Sequence, residues 1–289
     1  MTDTPTATIT DSAVRAITED GAFRIMVVRT TDTVREICRL QEADGLTARN
    51  LADLVTATVL IRETMAPGFR VQGILRAVGH RGTLIADSAP AGNTRGLVQL
   101  KDGQPVLVET GAVVQMMRTL MNGSVHQGFV EVPSGGGMTQ AIMAYMKDSE
   151  QVDTMLAVGT VLGDDGQVSS AGGYMVQLLP EVGRGPLAIM TERLEDFRTI
   201  EHLLDANFTP EWLRDELLYR MPFAALDKTP VQASCWCSES RLLGALSTLD
   251  RSEVEAMIAD GTPLEIRCDY CTKQYLIAPA RLTGLLGQS

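Results

Sequence analysis

Apolar positions in the first two thirds of the chain switch repeatedly between a two-residue and a 3.6-residue period. Residues 23–29 (FRIMVVR) read as a strand, and 33–43 and 47–65 as helices. Strand patterns bounded by glycine-rich turns return at 69–78, 83–86, 96–100 and 128–132. A helix is predicted over 138–149 and strands over 155–162 and 173–179. The sum is an α+β fold class, with a mixed α/β N-terminal domain built on a central sheet over residues 1–190.

From residue 191 the pattern changes. Residues 191–230 carry nine acidic and five basic side chains, yet also Phe197, Phe208, Trp212, Tyr219 and Phe223. Leu194, Phe197, Ile200 and Leu204 would line one helix. Thr209 as N-cap and Pro210 at the first helical position open another, with Leu213, Leu217 and Met221 on a shared face. This amphipathic helical linker needs a surface to cover it. It is either packed permanently on the N-terminal sheet or a conditionally exposed binding surface, in which case Phe197, Trp212, Leu213, Leu217, Met221 and Phe223 are the candidate contacts.

In residues 231–289, Leu242, Leu243, Leu246 and Leu249 recur at helical spacing. Ser252 and Glu255 form a capping box before Val254, Met257 and Ile258, and Asp260-Gly261 ends that helix. Residues 264–267 and 275–277 alternate as a strand pair around Cys268-Asp269-Tyr270-Cys271, which places those cysteines on a hairpin turn.

Four of the chain's five cysteines fall here, as Cys235-Trp236-Cys237 and, after 30 intervening residues, Cys268-Asp269-Tyr270-Cys271. Two close pairs separated by a foldable insert suit one tetrahedral zinc ion, each pair giving two thiolates. An iron–sulfur centre uses the same donors less commonly at this spacing. A catalytic zinc keeps an open position and usually has His or carboxylate ligands, but His80, His126 and His202 lie far from the pairs. The CxC pair leaves two readings open: a metal that staples a small domain, or a switch, because adjacent thiols can form a small disulfide once the metal leaves. Cys38, alone in a predicted helix, reads as a small core residue.

The net charge of −11 in 289 residues argues against nucleic acid as the main partner. No apolar run approaches a membrane span, and residues 51–61 are interrupted by Asp53, Thr56 and Thr58. The N-terminal segment lacks the basic and apolar regions of a secretory signal, so a cytoplasmic location is the expectation, where thiols stay reduced. Ser134-Gly135-Gly136-Gly137 lacks the GK[ST] of a phosphate loop and reads as a strand-to-helix turn, so no nucleotide is expected. No nucleophile motif supports an enzyme, and no thioredoxin-like βαβ unit surrounds Cys268.

Together the parts resemble the heat-shock protein 33 family of redox-regulated holdase chaperones. The resemblance spans nearly the whole chain. It rests on the CxC and CxxC pairs, Ser149-Glu150-Gln151, Asn93-Thr94-Arg95-Gly96, and the run from Ala171-Gly172-Gly173-Tyr174 to Pro180. The sequence departs from the commoner family pattern at Thr272, where a Gly is frequent, and at Val152-Asp153, where a Pro-containing turn is usual. The resemblance implies one zinc per reduced chain on Cys235, Cys237, Cys268 and Cys271. Oxidation would give Cys235–Cys237 and Cys268–Cys271 disulfides, zinc release, linker unfolding, dimerisation, and ATP-independent capture of unfolding proteins. A constitutive zinc-ribbon adaptor with a permanent metal is the alternative.

Overall fold

The computed structural model describes residues 9–101, 103–179, 185–205 and 207–286. The chain opens with β1 (Ser12–Thr18) and β2 (Phe23–Arg29), then α1 (Thr31–Leu40) and α2 (Gly45–Glu63). Five strands follow: β3 (Arg70–Arg76), β4 (Gly82–Ser88), β5 (Asn93–Leu100), β6 (Val113–Thr119) and β7 (Val125–Glu131). After α3 (Met138–Asp148) come β8 (Thr154–Leu162) and β9 (Val168–Leu178), then α4 (Gly185–Arg193), 3-10 turns at Leu194–Phe197 and Ile200–Leu203, and α5 (Pro210–Leu217). Short strands β10 (Phe223–Ala225), β11 (Thr229–Pro230) and β12 (Gln232–Ala233) precede α6 (Glu239–Leu246), α7 (Arg251–Asp260), β13 (Leu264–Arg267), β14 (Gln274–Ile277) and α8 (Pro279–Thr283).

Contacts divide the chain once, between Ala233 and Ser234, into two compact units. Residues 191–230 belong by contact to the first of them. The α+β class holds, with the strands of that unit shared between two sheets. One is antiparallel in the order β10–β1–β2–β9–β8, with β11 also pairing β1. The other runs β12–β5–β4–β3–β6–β7, antiparallel except where β12 joins β5.

Helix α2 packs against β3 and β4 of one sheet and β8 and β9 of the other. That placement explains why residues 51–61 are apolar all round: a helix covered on every side has no polar face to keep. The interrupting polar groups are satisfied locally. Thr56 Oγ1 lies 2.7 Å from Thr30 Oγ1, Thr58 donates to the Leu54 carbonyl (2.7 Å), and Asp53 accepts from Thr160 (2.6 Å).

Gly172 and Gly173 on β9 show why that motif carries two glycines. A Cβ on Gly172 would come within 2.6 Å of Phe208 Cζ on the outer face, and one on Gly173 within 2.7 Å of the Ala157 carbonyl and 3.2 Å of Leu60 on α2. The outer face of this sheet, including Phe23, Ile25, Val27, Tyr174 and Val176, forms one apolar cluster with Leu194, Ile200, Leu204, Phe208, Leu213 and Leu217. The first helix expected in this stretch is broken: Leu194, Ile200 and Leu204 are buried, but the backbone leaves helical geometry at Thr199 (φ −102°, ψ 88°), so two 3-10 turns follow the sheet surface instead. Helix α5 is capped as expected, with Thr209 Oγ1 accepting from the Trp212 N–H at 3.2 Å. It ends at Leu217, and the left-handed Arg220 (φ 62°) turns the chain before Met221, so Met221 is not on the helix face.

The second unit has a small core of its own. Val254, Ile277 and Leu282 are buried, with Leu242, Leu243, Leu246, Met257, Ile258, Leu264 and Ile266 partly buried around them. Leu249 falls beyond α6 and is exposed. The capping box lies two residues earlier than expected: Asp250 is the N-cap, and the Glu253 carboxylate accepts from its N–H at 3.2 Å. The acidic cap starts the helix at Arg251, which leaves Ser252 inside its first turn. Gly261, left-handed at φ 74°, ends it. Among the described residues, no helix is long and apolar enough to cross a membrane.

Candidate metal centre

Cys235 and Cys237 lie on the extended segment between β12 and α6, fixed downstream by Ser238, whose Oγ caps α6 by accepting from the Arg241 N–H (3.3 Å). Cys268 follows β13 directly. Its N–H donates to the Lys273 carbonyl (2.9 Å) and its own carbonyl accepts from the Thr272 N–H (2.8 Å), so Cys268 to Lys273 is the tight connection of the β13–β14 hairpin. Thr272 closes that turn in the left-handed region at φ 59°.

These two segments bring all four Sγ atoms within 4.8 Å of one another. Across the two pairs, Cys235 and Cys268 are 3.8 Å apart and Cys237 and Cys271 3.4 Å. Four thiolates at about 2.3 Å from a tetrahedral ion would be about 3.8 Å from one another. The donor set and its spacing therefore fit one metal ion, with no histidine or carboxylate in the group. None of His80, His126 and His202 joins it.

Without the ion the thiols differ sharply. Burial opposes ionisation of Cys237, but hydrogen bonds from the Tyr275 hydroxyl (3.1 Å) and from the other thiols hold it down at about 7. Burial pushes Cys268 up, and Cys271 up to about 12, the latter helped by hydrogen bonds to the neighbouring thiols. Tyr275 was legible in the sequence only as a strand residue. Its alternation with Leu276 on β14, four residues past Cys271, is the signal that it faces the cluster. Cys38 stands apart: it is buried, its thiol donates to the Ala48 carbonyl (3.8 Å), and burial pushes it up to about 12.

The six residues considered for client contact are not equally available. Leu213 and Leu217 are buried, Phe197, Met221 and Phe223 are half-buried, and Trp212 is exposed at 42%. The glycine run at 134–137 is a turn whose amides are used by the chain. Gly136 N–H donates to the Pro133 carbonyl (2.9 Å), and Gly137 N–H to the Gln140 side chain (2.9 Å). In the Ser149-Glu150-Gln151 motif, Glu150 accepts from the Tyr145 hydroxyl (2.5 Å) and pairs with Arg118 (2.5 Å).

The fold and this cluster have counterparts. A 33 kDa chaperonin of Syntrophotalea carbinolica is 29% identical over 286 residues, covering 96% of this chain and 99% of the relative. The 33 kDa chaperonin of Bacillus subtilis is 27% identical, at 96% and 99% coverage. The crystal structure of the Thermotoga maritima 33 kDa chaperonin, a heat shock protein 33 homolog, superimposes with a TM-score of 0.78 at 20% identity, over 96% of this chain and 98% of that one. The model of the Hsp33 protein family matches residues 11–278, and the chain belongs to that family of chaperones.

Proposed function

We propose that the protein is a redox-regulated, ATP-independent holdase, inactive while reduced and zinc-bound and activated by oxidation of Cys235, Cys237, Cys268 and Cys271. The observation that carries this reading is the convergence of four thiols within 4.8 Å in a unit that fully buries few apolar side chains of its own. Bound there, one zinc ion would supply the long-range crosslink between the two cysteine pairs and hold all four sulfurs as thiolates.

Peroxide or hypochlorous acid takes two electrons from each pair of thiolates. With peroxide, one S–S bond forms per pair and the oxidant, with two protons, leaves as two waters. The resulting Cys235–Cys237 and Cys268–Cys271 disulfides are local and poor metal donors, so nothing then ties residues 235–237 to the β13–β14 turn. We take 1–190 as the chaperone domain, 191–230 as the linker and 231–289 as the redox module. The linker runs directly into the first cysteine pair. Once it loosens, both its own apolar side chains and the outer face of the sheet beneath it become available to unfolding proteins in the cytoplasm. The nine acidic and five basic side chains of 191–230 keep the opened segment soluble. Two opened copies would dimerise through the same surfaces.

The test is suppression of aggregation of a heat-unfolding client by zinc-loaded reduced protein and by the same protein after peroxide, without nucleotide. Activity confined to the oxidised sample, with about one zinc lost per chain and the two local disulfides in a non-reducing peptide map, supports the reading. Equal activity in both states favours the constitutive adaptor, and a dominant Cys235–Cys271 or Cys237–Cys268 bond refutes the route.

A further inference from the structure

The Ser149-Glu150-Gln151 motif has no part in the redox switch, yet Glu150 lines a cavity of about 400 Å³ in the first unit. Each sheet contributes a cross-strand pair to its wall: Arg24 opposite Gln177 on β2 and β9, and Arg118 opposite His126 on β6 and β7. Met65, Phe69 and Met146 supply an apolar side.

The charges in this cavity do not balance. Arg24 is half-buried, and its Nε and Nη2 both donate to the single Oε1 of Gln177, at 3.2 and 2.5 Å. That acceptor is a neutral amide where a guanidinium is best matched by a carboxylate. Among the described residues no Asp or Glu pairs with Arg24, and Arg15 on the adjacent strand adds a like charge. Arg118 and Glu150 neutralise one another, but Arg118 Nε is shielded from solvent with no partner. A surplus of cationic donors inside a chain of net charge −11 is costly unless an anion completes it.

We propose that this cavity binds a small carboxylic acid, its carboxylate on the free donor edge of Arg24 near His126 and its apolar stem against Met65, Phe69 and Met146. The volume suits a compact organic acid of the size range taken by small-molecule pockets.

The probe is hexanoate, titrated calorimetrically into the full-length reduced, zinc-loaded protein, with uncharged hexanamide and inorganic phosphate as parallel arms. Saturable binding of hexanoate is expected, with hexanamide and phosphate at least about tenfold weaker, and Arg24→Gln weakening hexanoate about tenfold. Equal binding of hexanoate and hexanamide overturns the proposal, as does full affinity in Arg24→Gln. Phosphate binding as tightly as hexanoate overturns it too, because the apolar wall would then contribute nothing. Should Arg24→Gln fail to fold, Arg24→Lys keeps the charge and loses the planar fork. A measurable loss of hexanoate affinity in that variant is then expected, and unchanged affinity refutes the assignment.

Discussion

Thr272 offers a sharp test of how folding of the C-terminal unit couples to the proposed zinc binding. The residue holds a left-handed conformation (φ 59°) at the end of the CxxC turn, although its side chain is β-branched. That conformation costs an L-residue about 1–2 kcal/mol, and glycine escapes the cost while losing about 0.5–1 kcal/mol through the freedom of its unfolded chain. Nothing polar is lost in exchange, because the bond that closes the turn comes from the Thr272 backbone N–H, which glycine retains. Thr272→Gly should therefore stabilise the folded unit by about 0.5–1 kcal/mol. Because metal binding and folding of such a unit share one free energy, apparent zinc affinity should rise about two- to fivefold. Competition with a chromogenic chelator on reduced protein reads this directly as a shift of the half-transfer point. The converse variant is Gly261→Ala, at the left-handed α7 C-cap with φ 74°, which should shift that point the other way. A Thr272→Gly protein that yields its metal as readily as the parent, or more so, would refute the reasoning, since turn strain would then not be felt at the metal.

Three further outcomes are expected. Burial pushes the Asp53 carboxyl up from 3.8 to about 6, against the Thr160 hydrogen bond and Arg49 and with help from Glu201; the sign follows that its contribution to stability is full below about pH 4 and is lost as pH rises to about 6. Asp53→Asn, which can still accept from Thr160, should remove that slope in urea titrations and be more stable than the parent at pH 7 by at most about 3 kcal/mol. Leu213→Ala deletes a fully buried side chain of α5 and should cost about 2–5 kcal/mol in the first unit while leaving zinc content unchanged; on the proposed mechanism it also lowers the peroxide dose at which holdase activity appears. In metal-stripped reduced protein, mass spectrometry after brief iodoacetamide treatment should find Cys235, Cys237, Cys268 and Cys271 labelled and Cys38 unlabelled, because Cys38 is buried in the first unit and pushed up to about 12.

The elements that the sequence disclosed are those marked by local signals, whatever they pack against. The apolar, β-branched run of β2, the alternation on β13, the Thr209-Pro210 start of α5 and the Gly261 stop of α7 are local signals that the packed structure keeps. Strand β1, SAVRAIT, went unread because alanine, serine and arginine carry little strand propensity, and it is held by pairing to β2, β10 and β11 instead. Strand β6, VVQMMRT, does alternate, with Val114 and Met116 buried, but its methionines and polar residues resemble a helix as much as a strand. The break at Thr199 is tertiary: Gly159 brings β8 so close to Ile200 and Glu201 that the chain follows the sheet rather than a helical path. At the cysteine cluster the spacing disclosed the donor set, while the cross-pair neighbours and Tyr275 depend on how the hairpin meets residues 235–237, which no local pattern records.

The two units are stabilised by different means, and that difference bears on where oxidation can act. The first unit buries α2 between two sheets and a second apolar cluster beneath residues 191–230, so its folding rests on packing and not on thiolate ligation. Its one cysteine, Cys38, is inside that packing. The second unit fully buries Val254, Ile277 and Leu282, worth about 1.5–3 kcal/mol each, whereas structural zinc in small modules contributes about 10 kcal/mol or more. Removing the four thiolates thus strikes the unit least able to replace them and leaves the packed first unit folded; on the proposed mechanism its outer sheet face is then what captures clients. An engineered apolar replacement of the four cysteines that kept the second unit folded should then be inactive as a holdase under every redox condition. Activity in such a protein would locate the client surface on the first unit independently of the cysteine module.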